Sequence, residues 1–250
     1  MDKTNVKALV IAPPGCGKTH FCGTFPKSYW ISTEPDGYET IEMKKELRKN
    51  TVKQQNFIPE PMLVGDKLVP NVKQTFIEIS KACIEAHQMQ KEGQIETLVL
   101  DNITYLSENR WIYVNQHEKE ISKSGETDVR AMYGKLGRWL YEFVLMNFCS
   151  FKGNVVVTAH IKQEHEEALK RKVGNDDEVA DILGGFRNQA PGMFSIVAFL
   201  DKLKTDKGYR YIARLDKSND KLAKNRYGLP EVMDNVSYQT IYDAIQKAKQ

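Results

Sequence analysis

Charge of one sign, long apolar runs and paired cysteines are all scarce in this sequence of 250 residues. Its 36 Lys and Arg nearly balance 33 Asp and Glu, so net charge alone does not indicate a nucleic-acid partner. No long uninterrupted apolar run is present and mean hydropathy is −0.51, which predicts a protein without a transmembrane helix or membrane partner. The four cysteines lack metal-ligand spacing, and we therefore expect a reducing, cytoplasmic location.

Fixed-period repeats, low-complexity stretches and dividing linkers are also missing from the sequence. Their absence argues against a solenoid and predicts a single domain over residues 1–250. The composition, with 41% hydrophobic and 28% charged residues, suits a globular protein with a sizeable core. It excludes a fibrous or wholly disordered chain.

Short apolar runs alternate with helical patterns along the chain. Runs rich in Val, Ile and Leu predict buried strands at residues 7–12, 28–33, 96–100 and 154–159. Residues 194–200 and 209–215 predict a hairpin across a turn at 205–208, and apolar spacings of three and four predict helices over 76–86, 132–144 and 238–250. This alternation predicts an α/β fold, a mostly parallel sheet covered by helices on both faces. We expect an insertion at 42–71 and a long polar loop at 161–191.

The segment APPGCGKT, residues 12–19, carries the strongest chemical signal. It matches the phosphate-binding pattern G-x-x-x-x-G-K-[ST] except that Ala12 replaces the first glycine. In that pattern a glycine-rich turn directs backbone N–H groups at phosphate oxygens. Lys18 can reach the β and γ phosphates, and the Thr19 hydroxyl can bind Mg²⁺. Because the segment follows a predicted strand, we expect nucleotide binding through Pro14, Gly15, Cys16, Gly17, Lys18, Thr19 and His20.

Asp101 ends the apolar run LVLD at residues 98–101. In proteins with such a phosphate-binding loop, an aspartate at this place holds Mg²⁺ directly or through water. A strand-ending aspartate is also a common helix cap. The pattern leaves both interpretations open, and the upstream Lys18 and Thr19 favour the metal.

Two further polar residues follow predicted strands. Glu34 comes after the second strand, at the edge of an open α/β sheet where catalytic groups lie. It is a candidate for activating the attacking water, with a solvated loop glutamate as the alternative. His160 closes the fourth strand, which we expect beside the Asp101 strand. One interpretation is that His160 contacts the γ-phosphate and senses its release. The alternative is that His160 has only a structural role.

A basic stretch lies near the carboxyl end of the sequence. It contains nine bases against Asp206, Asp216 and Asp220, namely Lys202, Lys204, Lys207, Arg210, Arg214, Lys217, Lys221, Lys224 and Arg226. Such a run is either a solvated face of the hairpin or a patch that binds phosphate. In the second case, some of the bases can contact the nucleotide of a neighbouring subunit. Tyr209, Tyr211 and Tyr227 are available for base stacking, although alternating tyrosines more often pack.

The order of these motifs resembles the RecA-like ATPase core of P-loop NTPases. More narrowly, the chain is similar to small phage proteins described as ATP-binding or single-strand annealing proteins. Four phrases carry that closer resemblance: GKTHFCGTFPK (17–27), ISTEPDGYETI (31–41), VVVTAH (155–160) and KLAKNRYGLP (221–230). The P-loop is the specific element among them, and together with the order of elements the resemblance spans most of the chain.

The resemblance implies a role for each candidate residue. Glu34 takes the place of the carboxylate that activates water, Asp101 that of the Mg²⁺-supporting aspartate and His160 that of the γ-phosphate sensor. Lys224 and Arg226 match positive groups that reach the ATP of an adjacent subunit. The implied cofactors are ATP and Mg²⁺. The implied partners are further copies of the chain, single-stranded DNA and phage or host recombination proteins, in the host cytoplasm if the chain is phage-encoded.

Three functions are compatible with the sequence. The first is an oligomeric RecA-like ATPase that acts on single-stranded DNA in recombination or annealing. The second is an ATPase subunit or nucleotide-controlled switch that binds no DNA. The second is favoured by the acidic residues of the polar loop, Glu164, Glu166, Glu167, Asp176, Asp177, Glu178 and Asp181. The third is a P-loop kinase of a small metabolite, which needs an arginine-rich lid that does not stand out in the sequence.

Overall fold

One large sheet organises the molecule. A computed structural model describes residues 4–35, 37, 39–161, 180–206, 208–216 and 223–249. Within these residues the strands are β1 (Lys7–Ile11), β2 (Ser28–Ser32), β3 (Thr51–Asn56), β4 (Pro61–Val64), β5 (Lys67–Pro70), β6 (Thr97–Asp101), β7 (Asn154–Ala159), β8 (Ile196–Thr205), β9 (Gly208–Arg214), β10 (Lys224–Asn225) and β11 (Val232–Asp234). All but β4 and β5, which form a separate hairpin, belong to the large sheet.

The strand order of the large sheet is β11-β9-β8-β1-β7-β6-β2-β3, with β10 paired to β8. The six strands from β8 to β3 are parallel, whereas β9, β10 and β11 pair antiparallel to their neighbours. This confirms the predicted mostly parallel sheet with a carboxyl-terminal hairpin. Because parallel strands end at one edge, the residues that follow β1, β7, β6 and β2 come together there.

Helices cover both faces of the sheet. They are α1 (Lys18–Gly23), α2 (Glu39–Met43), α3 (Lys45–Arg48), α4 (Val72–Lys91), α5 (Ile103–His117), α6 (Val129–Val144), α7 (Phe186–Met193) and α8 (Tyr238–Ala248), and a π-helical turn (Leu145–Cys149) continues α6. Successive side chains of β1 point to opposite faces of the sheet. Leu9 and Ile11 join the core cluster of α4, α5 and α6, while Ala8 and Val10 join that of α1 and α8.

Helix α5 is the main element that the sequence pattern did not predict. Its buried face includes Thr104, Ser107 and Arg110 as well as Leu106 and Val114, so its apolar periodicity is weak. The Arg110 guanidinium is nevertheless paired, because its Nη2 donates to both carboxylate oxygens of Glu118 at 2.7 and 2.9 Å. A buried charge held in this way lets a polar-looking segment form a core helix.

The two segments expected as an insertion and a loop contain more regular structure than their sequences indicate. Within 42–71, β3 is an edge strand of the large sheet and β4 pairs with β5. Within 161–191, residues 162–179 lie outside the described part, as do most of the acidic residues of the polar loop. Helix α7 begins at Phe186, so the prediction of a loop is wrong from that residue on. Phe186 and Ala190 lie one helical turn apart and are both buried, although the glycine pair just before them suggested a loop.

In the part of the chain that the structure describes, no helix has both the length and the apolarity needed to cross a bilayer.

Candidate functional site

The backbone conformation of the turn between β1 and α1 depends on two glycines. Gly15 and Gly17 have φ angles of 75° and 87°, in the left-handed region that favours glycine. A Cβ at Gly17 would in addition lie 3.0 Å from the ring of Tyr211. The turn therefore favours glycine at both positions, and the approaching strand β9 adds a steric requirement at Gly17.

Lys18 lies at the floor of this turn and is only 5% exposed. Its ammonium group donates to the carbonyl oxygens of Ala12 and Pro13 at 3.1 and 3.2 Å, and it lies 3.2 Å from His160 Nδ1. Burial lowers the pKa of Lys18, and the nearby carboxylates of Glu34 and Asp101 oppose that shift. The ammonium is thus held beneath the turn, where incoming phosphate oxygens can replace the carbonyls as its partners.

Asp101 is buried at the end of β6, between two hydroxyl groups. Thr19 Oγ1 donates to its Oδ2 at 3.1 Å, and Thr158 Oγ1 donates to its Oδ1 at 2.5 Å. Burial raises the pKa of Asp101, while the hydrogen bond from Thr158 lowers it in part. The hydroxyl of Thr19 and the carboxylate of Asp101 form a pair of hard oxygen donors.

This donor pair fits a Mg²⁺ ion that is also bound to the phosphates of a nucleotide. Mg²⁺ is commonly held by one or two protein oxygens together with substrate phosphates and water, not by an all-protein cage. Among the described residues, no group of three or more His, Cys, Asp or Glu could hold a metal ion. Thr19 and Asp101 would supply the protein's share of the ligands.

Glu34, Asn102 and His160 form a polar cluster next to Lys18. Asn102 Nδ2 donates to Glu34 Oε2 at 2.6 Å and lies 3.2 Å from His160 Nε2, which is 3.6 Å from Glu34 Oε1. Burial disfavours the charge of Glu34, but the neighbouring His160, Lys18 and Asn102 outweigh it, so the pKa of Glu34 lies below its usual value. A carboxylate kept ionised beside a phosphate-binding loop can accept a proton or orient water.

Residues at the ends of β2 and β6 hold this cluster in place. Thr33 Oγ1 donates to the Asn102 carbonyl at 2.6 Å, and Thr33 N donates to the Asp101 carbonyl at 2.8 Å. Asn102 Oδ1 also accepts from Tyr105 N and thereby caps α5. The position of Asn102 is fixed from both sides, and Glu34 is fixed through it.

A cleft of about 290 Å³ opens over these groups. Its lining contains six of the seven residues predicted to bind nucleotide, together with residues of the 34–44 segment and β9: Pro14, Gly15, Gly17, Lys18, Thr19, His20, Glu34, Pro35, Gly37, Thr40, Lys44 and Tyr211. The exception is Cys16, which packs against the core and whose N–H donates to the Pro13 carbonyl at 3.4 Å. Its side chain does not line the cleft.

A family model described as an AAA domain matches residues 4–227, nearly nine tenths of the chain, from before β1 to beyond β10. The chain belongs to this AAA-domain family of P-loop ATPases. No curated protein matches it. Family membership confirms the predicted P-loop NTPase, and the narrower resemblance to phage annealing proteins stays a prediction.

In this AAA-domain chain, Lys224 and Arg226 lie away from the P-loop cleft. Lys224 pairs with Val197 of β8 and lines a separate cavity of about 490 Å³, whereas Arg226 Nη2 donates to the Gly192 carbonyl at 3.3 Å. Burial and the nearby Arg226 lower the pKa of Lys224. Neither residue is among those that line the cleft of its own chain.

The basic hairpin is partly neutralised by acidic neighbours. Arg210 Nη2 lies 2.6 Å from Asp234 Oδ1, and Arg214 Nε donates to Asp201 Oδ2 at 3.1 Å. Lys207, Lys217 and Lys221 lie outside the described residues, as do Glu164 and the other polar-loop acids before Ala180. Arg210 and Arg214 therefore add less free positive charge than the sequence count suggests.

The three tyrosines that the sequence offers for base stacking have three different surroundings. Tyr209 is 62% exposed with Lys202 Nζ 4.1 Å from its ring centroid. Tyr227 packs against the core and donates to the Asn5 carbonyl at 3.4 Å. Tyr211 lines the P-loop cleft.

Among the residues that sequence reasoning missed are Asn102 and Thr158, and it named Tyr211 for base stacking without placing it at the P-loop. Thr158 is a polar residue within the apolar run VVVTA, and Asn102 directly follows the strand-ending Asp101, so both had a local signal. The place of Tyr211 in the cleft had no local signal, because its distance from the P-loop depends on how far the β8–β9 hairpin extends past β1.

Proposed function

We propose that this chain binds ATP with Mg²⁺ in the P-loop cleft and hydrolyses it, with Glu34 as the group that activates the attacking water. The observation that carries the proposal is the Glu34–Asn102–His160 cluster, which borders the cleft beside the Lys18 ammonium. A phosphate-binding loop alone supports nucleotide binding. An ionised carboxylate held by two polar neighbours at that loop supports hydrolysis as well.

Each group has a distinct task in this proposal. Lys18 binds the oxygens of the β and γ phosphates, and Thr19 and Asp101 hold the metal, which when bound neutralises phosphate charge. Glu34, ionised at neutral pH because its pKa is low, accepts the proton of the attacking water. His160 lies 3.2 Å from Lys18 Nζ, so a change at the γ-phosphate can reach it through that ammonium.

Hydrolysis is better supported than transfer of phosphate to a metabolite. A kinase of a small metabolite needs an arginine-rich lid, and none stands out in the sequence. The Glu34 carboxylate lines the cleft and accepts a hydrogen bond from Asn102, and a carboxylate held in this way can activate water.

The substitution Glu34→Gln tests the proposed hydrolysis. The amide cannot take a proton, so we expect the rate of phosphate release to fall by about 10²- to 10⁴-fold. The dissociation constant of Mg·ATP, measured by calorimetry, should stay near the wild-type value. Glu85→Gln removes a charge at a surface ion pair with Lys53 and serves as the control. A Glu34→Gln protein that hydrolyses ATP at the wild-type rate would contradict the proposal.

We further propose an oligomer in which Lys224 and Arg226 reach the ATP of an adjacent subunit. Their positions away from the cleft of their own chain support an action in trans. Arg226→Ala and Lys18→Ala proteins, each inactive alone, should regain activity on mixing, because some interfaces then pair an intact loop with an intact arginine. Absence of any regained activity in mixed oligomers would count against this geometry.

A role on single-stranded DNA in recombination or annealing, with phage or host recombination proteins as partners, is the proposal that follows from the sequence resemblance. The alternative, a nucleotide-controlled switch without DNA binding, is favoured by the ion pairs that occupy Arg210 and Arg214. Anisotropy of a labelled single-stranded oligonucleotide separates the two. DNA binding should weaken steeply between low and high salt. ATP-dependent oligomerisation with unchanged anisotropy supports the switch.

A further inference from the structure

We infer that Tyr211 is the base-stacking wall of the P-loop cleft, so that the substrate is recognised through the aromatic base of a nucleoside triphosphate and not through its phosphates alone. This inference rests on the proposed function, because it requires a triphosphate at Lys18 and Thr19. Four features of the structure carry it.

The first feature is the length of the β8–β9 hairpin. Strand β1 pairs with β8 only as far as Ile11 and Phe199, whereas the β8–β9 ladder continues to Thr205 and Gly208. Tyr211 pairs with Lys202, three positions beyond Phe199. The hairpin therefore projects past the end of β1 and carries Tyr211 over the phosphate-binding turn.

The second feature is the contact that results. The edge of the Tyr211 ring lies against Gly17, since a Cβ there would be 3.0 Å from Cδ1 and 3.1 Å from Cε1. The ring is nearly parallel to the imidazole of His20, with 23° between the planes and 6.4 Å between the centroids. Tyr211 and His20 thus form an aromatic corner of the cleft.

The third feature is the direction that the site gives to a nucleotide. Glu34, Asp101 and the Lys18 ammonium mark the end at which the terminal phosphate and the metal belong. His20 and Tyr211 line the same cleft without belonging to that cluster. A triphosphate bound with its γ-phosphate at Lys18 extends toward this aromatic corner. Aromatic rings are the groups on which a nucleotide base stacks.

The fourth feature is that Tyr211 is held by its backbone while its side chain has no polar task of its own. Asn235 N donates to the Tyr211 carbonyl at 2.9 Å, and the following Ile212 and Ala213 are buried. Among the described residues the Tyr211 hydroxyl has no hydrogen-bond partner. A ring carried on a backbone held in this way has less freedom to lose when it stacks on a ligand.

Stacking also predicts a pattern of specificity. Every base has a π-face, so stacking alone tolerates different bases, and larger rings bury more area. We expect ATP and GTP to bind with similar affinity and both to bind more tightly than CTP.

Calorimetry with two probes tests the inference: Mg·ATP, which has a base, and Mg·tripolyphosphate, which has none. In Tyr211→Ala the affinity for ATP should fall roughly 5- to 100-fold, and the affinity for tripolyphosphate should stay unchanged. Tyr211→Phe should restore what Tyr211→Ala loses, because it keeps the ring. Tyr209→Ala removes a neighbouring tyrosine of the same hairpin outside the cleft, and is the matched control.

A second variant covers the case in which Tyr211→Ala does not fold. Tyr211→Leu keeps bulk beside Gly17 but has no aromatic face, so it too should lose affinity for ATP alone. Unchanged ATP affinity in both Tyr211→Ala and Tyr211→Leu would overturn the inference and leave the proposed function intact. Equal loss for both probes would overturn it as well, since Tyr211 would then act only by supporting the turn. A wild-type protein that binds neither probe would instead refute the proposed function.

Discussion

The two ends of the cleft are built in different ways. At the phosphate end, Lys18 and Asp101 are 5% and 1% exposed, and hydrogen bonds tie them to residues at the ends of β1 and β7 and to Thr19 of α1. At the base end, Tyr211 comes from an antiparallel hairpin, with the exposed Lys202 across the ladder. The phosphate end belongs to the parallel part of the sheet and the base end to its antiparallel edge.

This difference indicates a division of labour. Parallel strands that end at one edge bring several polar side chains together with little freedom, which suits chemistry that depends on distances of about 3 Å. The hairpin contributes no residue to the Glu34–Asn102–His160 cluster, so changes to its side chains leave that geometry undisturbed. We therefore expect substitutions at the phosphate end to have large effects, and those at hairpin residues that do not line the cleft to have small ones.

The largest effect is expected for Lys18→Ala. The variant loses a buried ammonium that meets two phosphate groups in the proposed function, and charged hydrogen bonds of this kind contribute about 3 kcal/mol, or roughly a hundredfold in affinity. Calorimetry with Mg·ATP measures the loss. Lys53→Ala, which removes an exposed ion pair with Glu85, should change little. Wild-type ATP affinity in Lys18→Ala would remove the distinction between the two ends.

An intermediate effect is expected for Asn102→Ala, a residue whose amide favours the ionised form of Glu34. Without this amide the pKa of Glu34 rises. As the pH is lowered, Glu34 is therefore protonated, and the enzyme loses activity, at a higher pH than in the wild type. We expect kcat to drop about 10-fold and the acid limb of its pH profile to move upward.

The variant Asn102→Asp separates this electrostatic role from the capping of α5. Aspartate keeps an oxygen for Tyr105 N, but adds a negative charge beside Glu34 and should move the acid limb upward as well. An acid limb that stays at the wild-type pH in Asn102→Asp would show that Asn102 acts only through the helix.

The smallest effect is expected at the hairpin, for Lys202→Ala. Lys202 Nζ is 5.8 Å from the centroid of the Tyr211 ring and is exposed to solvent. Exposed cation–π contacts contribute about 0.5–1 kcal/mol, so ATP affinity should fall only about two- to fivefold. Lys204→Ala removes the same charge two residues farther along and should change affinity less. A loss as large as that in Lys18→Ala would contradict the division of labour.

Local sequence was enough to predict much of the phosphate end. The segment from Pro14 to His20 carries its chemistry in order, and Asp101, Glu34 and His160 each follow an apolar strand. Because residues that end parallel strands share an edge, pattern and topology lead to the same cluster. Helix α5 was missed because its buried face is polar, and a periodicity argument recognises only apolar faces.

The succession of the main strands along the chain and the glycine turn are thus properties that the sequence determines by itself, since they depend on short apolar runs and on the backbone freedom of Gly15 and Gly17. Which side chains then meet was decided by the tertiary structure. Asn102 bridges Glu34 and His160, residues 126 positions apart, and Tyr211 reaches Gly17 across 194. Such contacts depend on strand register and hairpin length, which short-range patterns do not encode.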